Sequence, residues 1–106
     1  MKTQTEITKV ETEMYAILQN VMDPEIELNI VDLGLIYSLK YDGDKKVNIE
    51  MTFSTPACPL GDAIIQDVEQ SIKRKYSDYI INVNVVFDPV WSVDMISDAG
   101  RLKLGW

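Results

Sequence analysis

The sequence TFSTPACPLGD, residues Thr52–Asp62, marks the change from an alternating strand pattern to a helical pattern. It contains the only cysteine of the chain, Cys58, and two of the four prolines. Pro59 suits the first position of a helix, because its missing N–H would be unpaired there in any case and its φ is already helical. The sequence therefore predicts a helix that begins at Pro59, with Cys58 at or beside its N-cap.

The position predicted for Cys58 favours a reactive thiol. Unpaired backbone N–H groups and the helix dipole stabilise negative charge at a helix N-terminus. The thiolate is the form of cysteine that attacks electrophiles and binds metals. We therefore expect the pKa of Cys58 to lie below that of a free cysteine. The alternative interpretation is a small buried hydrophobic residue that closes a turn.

Alternating apolar and polar residues predict three strands around this stretch. The first runs from Leu35 to Tyr41 and the second from Val47 to Phe53, and Asp42-Gly43 between them is a strong hairpin signal. The third strand runs from Ile81 to Phe87. Residues 23–34 show no clear period, so they are interpreted as a loop that is long enough to suggest a role beyond connection.

Two stretches with helical spacing flank these strands. The first predicted helix covers roughly Thr8–Val21 and is expected to stop at Asp23-Pro24, while the second runs from Pro59 to about Lys75. Because each strand has one apolar face, both helices should cover the same side of the sheet.

The residues after the third strand are expected to fold back onto the body of the protein. Ser92 is predicted to cap a short helix that Gly100 ends, and three apolar residues should anchor the tail: Leu102, Leu104 and Trp106. The predicted fold class is thus α/β (α+β), a two-layer sandwich of order α-β-β-α-β. It has a three-stranded mixed sheet covered on one face by two helices, plus a short C-terminal helix.

Length and composition limit the classes of function. The 106 residues favour one domain, 1–106, with a single core. A net charge of −7 argues against nucleic acid and anionic membrane surfaces as partners. One cysteine cannot form an internal disulfide, no apolar run approaches a membrane span, and residues 1–13 are too polar for a signal peptide, so a cytoplasmic localisation is expected.

The predicted topology brings distant segments to one edge of the sheet. The second strand, the second helix and the third strand form a crossover unit with parallel strands, so the Cys58 loop should lie near residues 88–91. The first strand is antiparallel to the second and therefore starts at that same edge. Ligand sites in open α/β sheets favour the carboxyl ends of parallel strands. We expect one cleft to gather a thiol, a hydroxyl, an acid and an indole, from Cys58, Thr52 or Thr55, Asp32 and Trp91.

The absence of histidine limits the chemistry of this cleft. A cysteine hydrolase normally needs an imidazole base, and the sequence contains none. Structural zinc sites and iron–sulfur clusters generally take four ligands. Cys58 therefore suggests a labile or shared site for a metal or cluster. The remaining ligands would be a second thiolate across a homodimer or the ligands of another partner.

Four segments together resemble the signature of domain of unknown function fifty-nine, the family of SufT-like and PaaD-like proteins and cytosolic iron–sulfur assembly factors. They follow one another in the same order and spacing between about Val21 and Trp91: Asp23-Pro24-Glu25, residues 30–37 (IVDLGLIY), Thr52 with Thr55–Pro59, and Pro89-Val90-Trp91. The resemblance implies an α/β fold and a role in maturing iron–sulfur proteins.

The resemblance also implies site residues and partners. The cysteine that matches Cys58 is needed for the family's role, and the site region includes the residues matching Asp23, Glu25, Asp32, Thr55 and Trp91. The implied partners are an iron–sulfur scaffold and client apo-proteins. The chain lacks the cysteine-rich C-terminal extension of PaaD-like proteins, which weakens a role as an oxygenase accessory, and it lacks the longer N-terminal region of other members.

Three functions are compatible with the sequence. The leading hypothesis is an assembly or maturation factor, not an enzyme, that delivers clusters or iron to client proteins through Cys58 as a carrier or adaptor. The second is an enzyme with Cys58 as nucleophile and Asp32 or a lysine as a substitute base. The third is a non-catalytic adaptor, such as the accessory subunit of an oxygenase-type complex, in which Cys58 is structural.

Overall fold

A computed structural model describes residues 2–55 and 60–105 of the chain. These residues form three α-helices, five β-strands and one 3₁₀ turn. In chain order they are α1 (Gln4–Leu18), β1 (Met22–Asp23), β2 (Leu28–Asn29), β3 (Ile36–Tyr41), β4 (Lys46–Met51), α2 (Gly61–Lys73), β5 (Ile80–Val85), the 3₁₀ turn (Val93–Met95) and α3 (Asp98–Leu104).

The first helix begins and ends earlier than the spacing of apolar residues predicts. Thr3 is its N-cap and accepts a hydrogen bond from the Glu6 backbone N–H at 3.2 Å, while the Glu6 carboxylate accepts from the Thr3 N–H. This reciprocal capping box fixes the start of α1 before the first apolar residue of the pattern. The helix ends at Leu18, so the predicted bounds of Thr8–Val21 are wrong at both ends.

The segment expected to be a loop contains a small antiparallel hairpin. Met22 pairs with Asn29 and Asp23 with Leu28. Glu27 in the turn has a φ of 61°, a left-handed conformation that is uncommon for a residue with a side chain. Strands of two residues are too short to produce an alternating pattern, so they could not be predicted from the spacing of apolar residues.

The main sheet has the strand order β3-β4-β5 and the mixed topology that was predicted. The first pair is antiparallel and the second is parallel. Gly43 in the turn between β3 and β4 has a φ of 87°, as the hairpin signal required. The predicted fold class is therefore confirmed, with one extra hairpin inserted before the sheet.

Both long helices cover one face of the sheet. α1 contacts α2 and β3, and α2 contacts β5. The opposite face of β4 is exposed, because its buried and exposed residues alternate strictly along the strand. The core includes side chains from the two helices and all three strands of the main sheet: Met14, Leu18, Leu39, Val47, Ile49, Met51, Ile64, Val68, Ile72 and Ile81.

The predicted C-terminal helix is wrong in its start, its end and one of its anchors. Ser97 rather than Ser92 is its N-cap, and the Gly100 N–H donates to the Ser97 hydroxyl at 3.0 Å. Gly100 lies inside the helix because a Cβ there would come within 2.9 Å of the side chains of Ile96 and Leu28. Leu102 is 83% exposed and anchors nothing.

The other two predicted anchors have different outcomes. Leu104 packs partly buried against the core, as expected, while Trp106 lies outside the described residues. No helix in residues 2–55 and 60–105 is long and apolar enough to cross a membrane.

Two glycines with similar backbone conformations allow a matched test of the packing at the start of β3. Gly34 and Gly105 have φ values of 79° and 74°. A Cβ on Gly34 would lie 2.3 Å from the Met95 carbonyl oxygen, whereas nothing lies within 4 Å of one on Gly105. Gly105→Ala should cost about 1–2 kcal/mol for the left-handed backbone. Gly34→Ala should cost about 1–3 kcal/mol more, for overpacking.

Chemical denaturation of both variants and the parent measures this difference. Equal losses of free energy of unfolding would mean that the contact between Gly34 and Met95 does not hold the C-terminal segment in place.

Candidate functional site

The Cys58 loop, residues 54–60, joins β4 to α2 at the carboxyl end of the sheet. Residues 56–59, and with them Cys58, lie outside the described part of the chain. The predicted helix start at Pro59 is wrong, because α2 begins at Gly61. A Cβ at Gly61 would come within 2.9 Å of the Phe53 ring. The close approach of bare backbone to this ring explains why a glycine occupies the first position of the helix.

The N-terminus of α2 also differs chemically from the prediction. Its N-cap is Leu60, whose side chain makes no capping hydrogen bond. Cys58 precedes this N-cap by two residues in the sequence and lies outside the described residues, so its expected place at or beside the helix N-terminus stays a prediction. Asp62 in the first turn already supplies a negative charge favourable to the helix dipole.

Thr52 is the most unusual polar residue of the predicted site. It is 0% exposed, and its N–H donates to the Leu35 carbonyl at 2.8 Å, extending the pairing of β3 and β4 beyond Met51. Its hydroxyl finds no hydrogen-bond partner among the described residues. Burying such a hydroxyl costs about 1–3 kcal/mol. The described part of the fold therefore gives no reason for a hydroxyl here. Thr55, by contrast, is exposed.

Asp32 joins the start of β3 to the cap of α3. Its carboxylate accepts from the Asn29 amide at 2.8 Å and from the Ser97 hydroxyl at 3.0 Å, and Lys103 lies 3.5 Å away. The Ser97 N–H also donates to the Asp32 carbonyl at 2.8 Å. The hydrogen bond from Asn29 is the main reason that the pKa of Asp32 is lowered, and those from Ser97 and Lys103 add to it against the effect of burial. Asp32 is thus held as a carboxylate by its neighbours.

Trp91 and Tyr37 tie the segment after β5 to the start of β3. The Trp91 indole N–H donates to the Leu33 carbonyl at 2.7 Å, and its ring packs half-buried against the core. The Tyr37 hydroxyl donates to the Pro89 carbonyl at 2.7 Å. The indole therefore has a structural role whether or not it also contacts a ligand.

The two acidic residues nearest α1 close the small hairpin. Asp23 is only 2% exposed, and its side chain accepts from the Glu25 N–H at 2.8 Å, as in an Asx turn. Glu25 itself is exposed. In the described residues, no side-chain hydrogen bond or ion pair joins either of them to Thr52, Asp32 or Trp91.

An open cleft of about 600 Å³ lies beside these residues, on the exposed face of the sheet near the ends of β4 and β5. Its apolar lining comes from Ile36, Val86, Pro89 and Met95. Two carboxylates, Glu50 and Asp88, also line it, together with Gly34, Tyr37 and Ser38. We call it the acidic cleft. Sequence reasoning missed it, because Glu50 resembles any solvated residue on the polar side of a strand.

Three of the predicted site residues meet at the first residues of β3 and the turn before it. Asp32 begins this segment, Trp91 bonds to Leu33, and Thr52 bonds to Leu35. In the ranges 2–55 and 60–105, no three histidine, cysteine or acidic side chains lie close enough together to hold a metal ion.

Residues 11–85 match the protein family described as iron–sulfur cluster assembly protein. The chain is similar to an Fe-S protein maturation auxiliary factor of Porphyromonas gingivalis, at 36% identity over 95% of this chain and 96% of that protein. It is also similar to the auxiliary factor SufT of Staphylococcus aureus, at 34% identity over 80% of this chain and 97% of that protein. A solved domain of unknown function from Bacillus anthracis superposes with a TM-score of 0.91 at 33% identity, covering 97% of this chain and 98% of that one.

The Asp32 network predicts an acid-sensitive attachment of α3. Because the pKa of Asp32 is lower in the folded protein than the ordinary value near 4, its carboxylate stabilises the fold above that value. This stabilisation is lost as the pH falls through the lower folded pKa. Asp32→Asn should therefore lower the free energy of unfolding at pH 7 by about 1–2 kcal/mol, and the difference from the parent should shrink towards pH 3.

Denaturant titrations between pH 3 and pH 7 test this, with Asp98→Asn as the control for loss of one exposed carboxylate in the first turn of the same helix. A difference between parent and Asp32→Asn that does not change with pH would contradict the assignment.

Proposed function

Because this chain belongs to the family of iron–sulfur cluster assembly proteins, we propose that it is an auxiliary factor in the maturation of iron–sulfur proteins that handles a cluster or iron through Cys58. The names of the relatives from Porphyromonas gingivalis and Staphylococcus aureus support the maturation role. In this proposal the iron or cluster is cargo, received from a scaffold and passed to client proteins as carrier or adaptor.

The donor groups of the chain suit transfer better than storage. One cysteine and no histidine supply a single soft ligand, whereas clusters generally take four. The other ligands therefore come from a second chain: the scaffold, the client or a second copy of this protein. A cargo whose ligands are divided between two chains is released when those chains separate, as delivery requires.

The buried hydroxyl of Thr52 is the observation that supports this site best. It lies at the end of β4, six residues before Cys58, and has no partner among the described residues. A buried hydroxyl normally has a hydrogen-bond partner. We propose that it bonds to the Cys58 loop or to the cargo held there, and so orients the thiolate.

The enzyme alternative is less well supported. Its general base would have to be Asp32 or a lysine, but the Asp32 carboxylate already accepts hydrogen bonds from Asn29 and Ser97. Its pKa is lowered, which makes it a weaker base than an ordinary aspartate. We therefore propose a role without catalysis, carried out in the cytoplasm, where a lone cysteine stays reduced.

Cys58→Ser tests the proposed role of the thiol. Serine is no thiolate at neutral pH, so maturation of an iron–sulfur client enzyme should be lost. The N-cap of α2 is Leu60, so the change removes no cap and should alter the free energy of unfolding by no more than about 0.5 kcal/mol. Client activity after reconstitution with iron and sulfide, measured beside thermal unfolding, gives both results. Full maturation by a destabilised variant would mean that Cys58 is structural and the proposed function is wrong.

Thr52→Val tests the role of the buried hydroxyl. Valine has nearly the same shape. If the hydroxyl bonds only to the cargo, removing it should stabilise the unloaded fold by about 1–2 kcal/mol, whereas a hydroxyl that bonds to the Cys58 loop gives no such gain. In both cases maturation should fall. Thr52→Ser keeps the hydroxyl and is the control that should retain maturation. A variant that is both more stable and fully active would remove Thr52 from the site.

A further inference from the structure

Positive charge is distributed unevenly along the molecule. The N-terminal ends of β4 and β5 and the C-terminal end of α2 share one end of the fold, because the Ile80 N–H donates to the Lys45 carbonyl. Basic residues gather there: Lys40, Lys45, Lys46, Lys73, Arg74 and Lys75. By contrast, no lysine or arginine occurs in residues 47–72 or 76–100. The carboxyl end of the sheet therefore receives its basic side chains only from α3.

The two basic residues of α3, Arg101 and Lys103, already contact other groups of the fold. Lys103 lies 3.5 Å from the Asp32 carboxylate, and Arg101 donates to the Val93 carbonyl at 3.4 Å. Neither residue lines the acidic cleft, whereas Glu50 and Asp88 do. Both of these carboxylates are exposed and make no ion pair in the described residues. The cleft thus presents uncompensated negative charge beside apolar walls.

Exposed apolar side chains surround the same end of the sheet. Val90 is 72% exposed, Val93 is 54% exposed, and Leu60 and Phe87 are about two-fifths exposed. Apolar surface rimmed by charge of one sign is typical of a surface that meets a partner of the opposite sign. A long basic side chain suits such a surface, because its aliphatic stem packs on apolar walls while its charged group meets the carboxylates.

We propose that the acidic cleft is a docking site for a basic segment of a partner protein. An arginine or lysine side chain enters between Glu50 and Asp88, and an apolar neighbour of that residue packs on Val90 and Val93. Pairing of opposite charges would raise the rate of encounter and fix the orientation of the partner at the edge that holds the Cys58 loop. The inference does not depend on whether Cys58 binds iron.

Two short peptides provide the direct test. Acetyl-Leu-Arg-Leu-amide and its citrulline isostere, acetyl-Leu-citrulline-Leu-amide, differ in charge at nearly constant shape. Titrated into the ¹⁵N-labelled protein, the arginine peptide should shift the amide signals of Ile36, Val86 and Met95, and binding should weaken with added salt. The citrulline peptide should bind roughly three- to tenfold more weakly.

Matched variants separate the cleft from the general acidity of the protein. The double variant Glu50→Gln with Asp88→Asn should bind the arginine peptide roughly three- to tenfold more weakly than the parent. Asp67→Asn with Asp78→Asn removes the same charge from exposed positions outside the cleft and should leave binding near that of the parent.

Any of four results would overturn the proposal: equal binding of the two peptides, no binding, equal effects of the two double variants, or shifts scattered over the whole surface. Concentration-dependent self-association that Glu50→Gln with Asp88→Asn abolishes would also overturn it, since the cleft would then hold the basic end of a second copy. None of these results bears on the Cys58→Ser experiment, so the two proposals stand or fall separately.

Discussion

Parallel pairing of β4 with β5 is the constraint on which the rest of the structure depends. The register runs from Lys46 beside Ile80 to Met51 beside Val85. Because α2 returns the chain to the starting end of the sheet, both strands must finish at the same edge. The Cys58 loop and the segment after β5 are therefore neighbours, although some thirty residues separate them in the sequence. The Val86 N–H donates to the Met51 carbonyl at 2.8 Å and carries this pairing past the last residue of β5.

The segment after β5 then closes this edge against the start of β3. The contacts come from well-separated positions: the Trp91 indole on the Leu33 carbonyl, Met95 against Gly34, and the Ser97 cap on Asp32. The Trp91 bond uses a backbone carbonyl, which any sequence supplies. What the sequence must provide is a glycine where backbone approaches backbone and a carboxylate where the cap of α3 arrives.

Elements with a regular spacing of apolar residues could be predicted from the sequence, whereas features that depend on tertiary packing could not. Strict alternation and the Asp42-Gly43 turn were enough to predict the three-stranded sheet and its mixed pairing. The starts of α2 and α3 were not predicted, because Leu60 caps α2 without a side-chain hydrogen bond and residue type alone does not distinguish Ser97 from Ser92. The grouping of Asp32, Thr52 and Trp91 at the start of β3 followed from topology. That the Thr52 hydroxyl finds no partner among residues 2–55 and 60–105 could not be predicted, since it depends on every neighbouring side chain.

In the proposed function, the negative charge at the carboxyl end of the sheet affects the Cys58 thiol and the cargo in different ways. Carboxylates such as Asp62, four residues after Cys58 in the sequence, would oppose formation of the thiolate, against the effect expected of a helix N-terminus. The same carboxylates attract an iron cation and repel a cluster made anionic by thiolate ligands. An isolated protein would then hold a cluster weakly. A basic partner in the acidic cleft would neutralise that field and favour the thiolate only while the two proteins are in contact. Binding of the cargo would thus be coupled to docking, and the cargo would be held only while two chains are in contact, in agreement with ligands that are divided between two chains.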